Sequence, residues 1–494
     1  MVGNISAVYL VALYLQVAVF IAVAAYLVTR PCFSIYHPAA IYAAFHMLVF
    51  VIRPLLAYYM VFDVGLYETY RLYPTAEVKL TAILVSMLGF VVFTVVSTQV
   101  GSSPMHFLSS EAHENERRTK RQAFLVVAAL FGPIALYSLL RGYQMANGDI
   151  EFTMKISRES GHYLNTTSNG YIYDAQLLAA PLSALFVWVF RYRLLSFLPL
   201  AAFVTIRAGT GGRGPFIASM VTLALLYAYE KRIKLPNFKV IAVVLAAIFL
   251  FRSVGDDRGA SVRGLLQSKA SQSWVTDRRR DDRFLASMDY ANVAFLEYIV
   301  AAVPAKSHTY DYFLDNLEVF VAPIPRVLWP GKPDAEPFPQ IRLFDYGFPI
   351  GMTKSLPGEG WFALGWLGVI LWCGLAGYLL GKLYEKFALG RSGILFALGY
   401  LCFYPSLVVS FRDGQLISLM RQSVWYILPV LAWAYYARRQ GRQSDQTGRA
   451  PGAPQMATVP AGNLRPPAGA LADLPPAVRR RRLALAQATD PSVS

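Results

Sequence analysis

Charge is scarce in this chain. Only 15% of its 494 residues are Asp, Glu, Lys or Arg, against about 25% in ordinary soluble domains. Acidic residues are the scarcer kind, 30 against 46 Lys and Arg, for a formal net charge of +16. With 55% hydrophobic residues and a mean hydropathy of +0.41, a soluble protein of this length is excluded. Cysteine is nearly absent. Cys32, Cys373 and Cys402 fall in or beside apolar stretches and none lies in a polar loop, so there is no disulfide framework. Six histidines are scattered, and no His, Cys and Asp cluster has metal-ligand spacing, so no metal is expected. His46, on an apolar helix, reads as a core residue rather than a ligand. The glycine-rich "GTGGRG" lacks the Lys-Ser/Thr of a phosphate-binding loop, so neither nucleotide nor other cofactor is expected.

What fills the chain instead is long apolar blocks. A bilayer core takes about 20 apolar residues as a helix, whereas barrel strands need only about 9–11 alternating ones. "AVYLVALYLQVAVFIAVAAYLV" (Ala7–Val28) and "LTAILVSMLGFVVFTVVS" (Leu80–Ser97) have the helical length. Block length therefore predicts an all-α polytopic membrane protein and excludes a closed barrel. The first block is followed by "TRPCFSIYHP", with no small-residue cleavage site, and reads as a retained helix. About eleven spans are predicted, near 6–28, 37–61, 78–98, 123–140, 173–190, 194–207, 215–230, 236–252, 361–381, 389–410 and 416–437.

These spans imply four regions: a transmembrane bundle over 1–252, a large external loop over 253–360, transmembrane helices over 361–437, and a tail over 438–494. The tail is rich in Ala, Pro, Gln and Arg, has no pattern that buries a core, and reads as disordered and cytoplasmic. Lys and Arg in the short loops set the orientation. One set, including Arg117, Arg118, Arg191, Lys231 and Arg438, outnumbers the other, which includes Arg71, Arg141, Arg207 and Arg412. The richer side is expected to be cytoplasmic, which puts the N-terminus outside and the C-terminus inside. The positive charge is thus a topology signal, and no nucleic-acid partner is expected.

Charge that topology does not explain is the signal for function. "RAGTGGRGPF" (Arg207–Phe216) places Arg207 and Arg213 among glycines at the start of a helix, on the external side. A helix N-terminus attracts anions, so either an anion site or a tight turn whose arginines meet lipid phosphates is implied. The external loop opens with an arginine-rich stretch that includes Arg279 and Arg283. Guanidinium groups bind phosphate in bidentate fashion, but the interleaved aspartates fit a salt-bridged surface equally well. "LASMDYANVAFLEYIVAAV" and "YDYFLDNLEVFVAPIPRVLWPGKP" are apolar enough to lie on or dip into the membrane. The prolines of "PIPRVLWPGKP" stiffen the piece of chain that carries Arg326 and Lys332. In "TKSLPGEGWFALGWLG", Glu359 sits between two glycines where the loop re-enters the membrane. It is either a base or an acid that complements a helix dipole. Arg53, Arg412, Asp413 and Arg421 lie in or at the ends of apolar spans, where ionisable groups face a cavity or a partner.

Taken together, "GTGGRGPF" at a helix start, "PIPRVLWPGKP" late in the external loop and "LPGEGWFALGWLG" at the next span resemble the Wzy-type polysaccharide polymerases, also called O-antigen or oligosaccharide repeat unit polymerases. The similarity covers roughly residues 200–420 and rests on the order of the pieces. It implies a glycosyltransferase of the bacterial inner membrane that acts on the outer face without metal or nucleotide. A growing chain on undecaprenyl diphosphate would be transferred to a new lipid-linked repeat unit. The partners implied are that lipid-linked oligosaccharide, the bilayer, and a flippase and chain-length regulator of the same pathway. In this chemistry Arg213 would stabilise the leaving diphosphate, with Arg207, Arg326 and Lys332 in support. Arg279, Arg283, Arg412 and Arg421 would bind diphosphate or glycan, and Glu359, then His308, would be the candidate base. Two alternatives stay open: a ligase that moves a finished glycan to another acceptor, and a transporter or flippase of lipid-linked glycans. Paired charges through many spans and internal symmetry would mark a transporter, and neither is evident.

Overall fold

In lipid every backbone N–H and C=O must be satisfied within its own segment, and a helix does this locally. The computed structural model describes residues 2–60, 64–146, 154–156, 163–165, 170–209, 214–236, 290–321, 323–324, 328–329, 341–349 and 351–447. Its regular structure there is helical, apart from one short antiparallel pair, Met154–Ile156 with Tyr163–Asn165. Among the described residues, 7 helices are long and apolar enough to cross a membrane: Ala7–Val28, Pro38–Met60, Ala76–Val100, Glu111–Gln144, Tyr171–Val189, Leu356–Ala388 and Leu416–Gln440. Gly393–Phe403 and Ser406–Asp413, bent by 42°, make one more if the pair counts as a single span. The segments expected near 194–207 and 215–230 are shorter apolar helices, Leu194–Arg207 and Gly214–Glu230. The segment near 236–252 and the 252/253 boundary lie outside the described residues. Asn292–Ala302, from the stretch expected at the membrane surface, is another short helix, and nearly all of its side chains are buried.

The chain divides into two units, Met1–Arg438 and Arg439–Ser494. Of the second, residues 439–447 are described and are helical.

Close packing in the first unit joins Ala76–Val100 to Leu356–Ala388. Lipid tails are as apolar as leucine, so helices in a bilayer associate through close packing of small residues. The seam shows this. A Cβ added to Gly377 would lie 2.9 Å from the Phe93 carbonyl, and one on Gly381 would lie 2.9 Å from the Ser97 carbonyl. Replacing Gly381 with valine is therefore expected to lower the melting temperature of the purified protein, at a cost of about 1–3 kcal/mol for overpacking. Gly374 faces more open space, with Val92 Cγ1 at 3.7 Å from an added Cβ, and valine there should be tolerated. Equal melting temperatures for the two variants would show that the seam is not close-packed.

His46 lies inside this core. It is buried and stacked on Phe90, with ring centroids 4.2 Å apart. One π-helical turn, Met47–Ile52, follows it and runs into Arg53-Pro54. Proline has no N–H to continue an α-helix and its ring crowds the carbonyl four residues back, which accounts for a wider turn at that place.

The helix Leu356–Ala388 is not straight. Leu364 (φ −160°, ψ 32°) and Gly365 (φ 57°, ψ −140°) leave helical geometry. Residues 356–363 fold against the chain that follows, so that a Cβ on Gly360 would fall 2.6 Å from Val369 Cα. Glycine is needed at 365 for its left-handed φ and at 360 for the approach of two backbones. The break puts residues 353–363 at the end of a span rather than within one continuous rod.

Candidate functional site

Four segments far apart in sequence meet at this break. Gly414, at φ 80°, closes the helix Ser406–Asp413 in a left-handed turn. The Arg412 carbonyl then accepts the Ser355 N–H at 2.9 Å and Asn292 Nδ2 at 2.9 Å. Ser355 caps the next helix, and Pro357 sits in its first turn, where a missing N–H costs nothing. The break at residue 364 leaves carbonyls without helical partners. The Asp311 N–H donates to the Phe362 carbonyl at 3.1 Å, and the Tyr312 N–H to the Ala363 carbonyl at 2.8 Å.

Glu359 stands at the centre, in the first turn of the broken helix, and is 0% exposed. Its Oε1 accepts from Asn316 Nδ2 at 2.6 Å, and its Oε2 lies 3.3 Å from Lys354 Nζ. The same ammonium pairs with Asp315 Oδ2 and lies 3.8 Å from the centre of the Phe362 ring. Gln415 Nε2 also donates to Asp315 Oδ2, at 3.5 Å, and the Leu416 N–H donates to Asn316 Oδ1 at 2.9 Å. Two carboxylates thus share one lysine in a closed, largely apolar setting. Such charges persist only when they are paired and hydrogen-bonded.

A second group of charges begins five residues further along the last helix. Arg421 Nε and Nη2 grip Asp174 at 2.7 and 2.8 Å, while the arginine side chain stays 62% exposed. Arg207 Nη1 donates to Gln176 Oε1 on the same turn. That turn is held to the helix Ser110–Ala146 by Ser138, whose Oγ donates to the Tyr173 carbonyl at 3.0 Å and accepts the Gln176 N–H at 2.9 Å. Hydrogen bonds therefore join Glu359 through Asn316 to the Leu416 N–H at the start of the last helix, and Arg421, five residues on along that helix, holds Asp174, two residues before the Gln176 that Arg207 binds.

Among the residues singled out from sequence, the Arg412 carbonyl is joined to Ser355 at the start of the helix that carries Glu359, and Arg421 and Arg207 meet the turn at 174–176. His308 is exposed in the turn after Ala302, with φ 55° and its own N–H donating to the Pro304 carbonyl at 2.8 Å. No side-chain contact joins it to Glu359 among the described residues. Arg213, Arg279, Arg283, Arg326 and Lys332 lie outside the described residues. Sequence reasoning did not single out Lys354, Asp315, Asn316 or Asp174. The signal for Lys354 was its position in "TKSLPGEG", a lysine beside an acid at a membrane boundary. The signal for the next two was the polar pair inside the otherwise apolar "YFLDNLEVF".

Among the described residues no group of three or more His, Cys, Asp or Glu side chains has an arrangement that would hold a metal. No family model matches this chain, and neither does any curated protein or solved structure. The chemistry of the site itself is what bears on function. It offers an oriented carboxylate, a lysine that neutralises its surroundings, and two guanidinium groups of the kind that recognise phosphate.

Proposed function

We propose that this chain is a membrane glycosyltransferase that polymerises lipid-diphosphate-linked oligosaccharide units. It would act on the outer face of a bacterial inner membrane, across some eleven spans, with its N-terminus outside and its C-terminus inside. The single observation that supports this reading best is the pair of hydrogen bonds through Asn316 that ties Glu359 to the first residue of the helix that carries Arg421. Glycosyl transfer from a lipid diphosphate needs two things at once. A base must take the proton of the acceptor hydroxyl, and fixed positive charge must stabilise the departing diphosphate. Glu359 is the candidate for the first role. Arg207 and Arg421 are candidates for the second, together with Arg213, on the strength of the resemblance of "GTGGRGPF" to the Wzy-type polymerases. Because Glu359 is fully covered, an acceptor would reach it only after chain packed around it, Asn316 included, moves aside.

The test is reconstitution of the full chain in liposomes with synthetic undecaprenyl-diphosphate-linked repeat units, without nucleotide or metal. Products longer than one repeat unit are expected, and Glu359→Gln should abolish them while leaving the protein folded. Folded protein that yields no extended product overturns the reading. Transfer of preformed long chains to another acceptor, without extension, would assign the chain as a ligase instead.

A further inference from the structure

The end of the helix Ser110–Ala146 that carries Glu114 lies far from the arginine end just described. Twenty-four residues separate Glu114 from Ser138, about 36 Å along a helix. Glu114, Glu116 and Glu230 are already engaged here. Glu114 pairs with Arg117 at 3.5 Å and with Arg191, Glu116 pairs with Lys120, and Glu230 accepts from Arg117 at 2.7 Å. These pairs fasten the turn at 190–193 and the end of Gly214–Glu230 to the same helix. Arg121 and Arg193 are exposed and have no acidic partner among the described residues. Arg121 is nonetheless held in place, with its guanidinium carbon 4.4 Å from the centre of the Phe190 ring.

Immediately after Arg193 the chain turns apolar. Leu194, Leu195 and Leu198 are 87%, 77% and 62% exposed. Bare leucines next to unpaired guanidinium groups make a two-part surface, apolar at one level and cationic at the next. Soluble phosphate would satisfy only the second part. From this juxtaposition we propose that Arg121, Arg193 and the Leu194–Leu198 turn form a binding site for an anionic phospholipid, with its headgroup phosphate on the arginines and its acyl chains along the leucines. The fixed, planar donors of arginine suit a phosphate diester, and basic residues between helix ends are a recurring device for holding acidic lipids. The site is independent of the glycosyl-transfer chemistry.

Native mass spectrometry of the detergent-solubilised full chain tests it, with dioleoylphosphatidylglycerol and dioleoylphosphatidylcholine as probes. The anionic lipid should be retained and the zwitterionic lipid lost. Arg193→Gln, a change at an exposed side chain, should weaken retention about fivefold, and Arg121→Gln together with Arg193→Gln should weaken it further. Leu194→Ser with Leu195→Ser should also weaken it, although every charge remains. Equal retention of the two lipids, or unchanged retention in the arginine variants, overturns the proposal. Displacement of the lipid by equimolar inorganic phosphate would also overturn it, by showing a free-anion site.

Discussion

Replacing Lys354 with methionine is expected to cost the folded protein about 3–5 kcal/mol, the usual penalty for stripping one partner from a buried ion pair. Lys354 is nearly covered, and its ammonium is the cation shared by Asp315 and Glu359. Methionine fills much the same space over the Phe362 ring, so packing survives and electrostatics carries the loss. Two carboxylates would then face each other with only Asn316 and Gln415 as donors from the described side chains. The effect reads out as a large fall in melting temperature of the purified protein and in its abundance in the membrane. The decisive comparison is Lys354→Met combined with Asp315→Asn, which removes one charge of each sign. That pair should recover a large part of the loss, because contacting residues are not additive. A lone Lys354→Met variant as stable as the parent would mean that the cluster is hydrated and the lysine dispensable.

Gly414→Ala should be nearly as damaging, for a different reason. The position has φ 80°, a conformation that costs a residue with a side chain about 1–2 kcal/mol. An added Cβ would also strike the Ser355 carbonyl and lie 3.0 Å from Glu359 Cβ. Overpacking of this kind adds about 1–3 kcal/mol. The chain cannot yield there without losing the bond from the Ser355 N–H to the Arg412 carbonyl and the bond from Trp372 Nε1 to the Gly414 carbonyl. Thermal unfolding of Gly414→Ala beside Gly399→Ala makes the test. Gly399 has Val430 Cγ1 at 3.7 Å from an added Cβ, an ordinary contact, and alanine should be accepted there. Equal melting temperatures for the two variants would show that the turn at 414 does not hold the site together.

Much of the helical framework is legible in the sequence, because a bilayer imposes length. The blocks around Ala7–Val28 and Leu80–Ser97 lie within observed helices. Pattern could not show how those helices meet. The seam of Gly377 and Gly381 on Phe93 and Ser97 depends on pairing two spans more than 280 residues apart. The break at Leu364–Gly365 sits in a run, "WFALGWLG", that reads by hydropathy as the start of a straight span. Glu359 stood out because an acid between two glycines at a membrane boundary is conspicuous. Its partners did not, since Lys354 and Asp315 are 39 residues apart and Arg421 and Asp174 are 247 apart. A single sequence carries no signal that pairs a lysine with one carboxylate among thirty.

The seam between Ala76–Val100 and the latter part of Leu356–Ala388 has a mechanical consequence. Where two helices touch backbone to backbone there is no side-chain cushion to shear, so they turn or tilt as a single beam. The segment 311–316 is attached beyond the break at Leu364–Gly365, by hydrogen bonds to Phe362 and Ala363 and by one shared lysine, bonds that can break singly and re-form. Under the proposed function, the segment 311–316, and not the seam, is the part that gives way when Glu359 is uncovered. The seam itself, which lies beyond the break at Leu364–Gly365, stays in one piece through that movement.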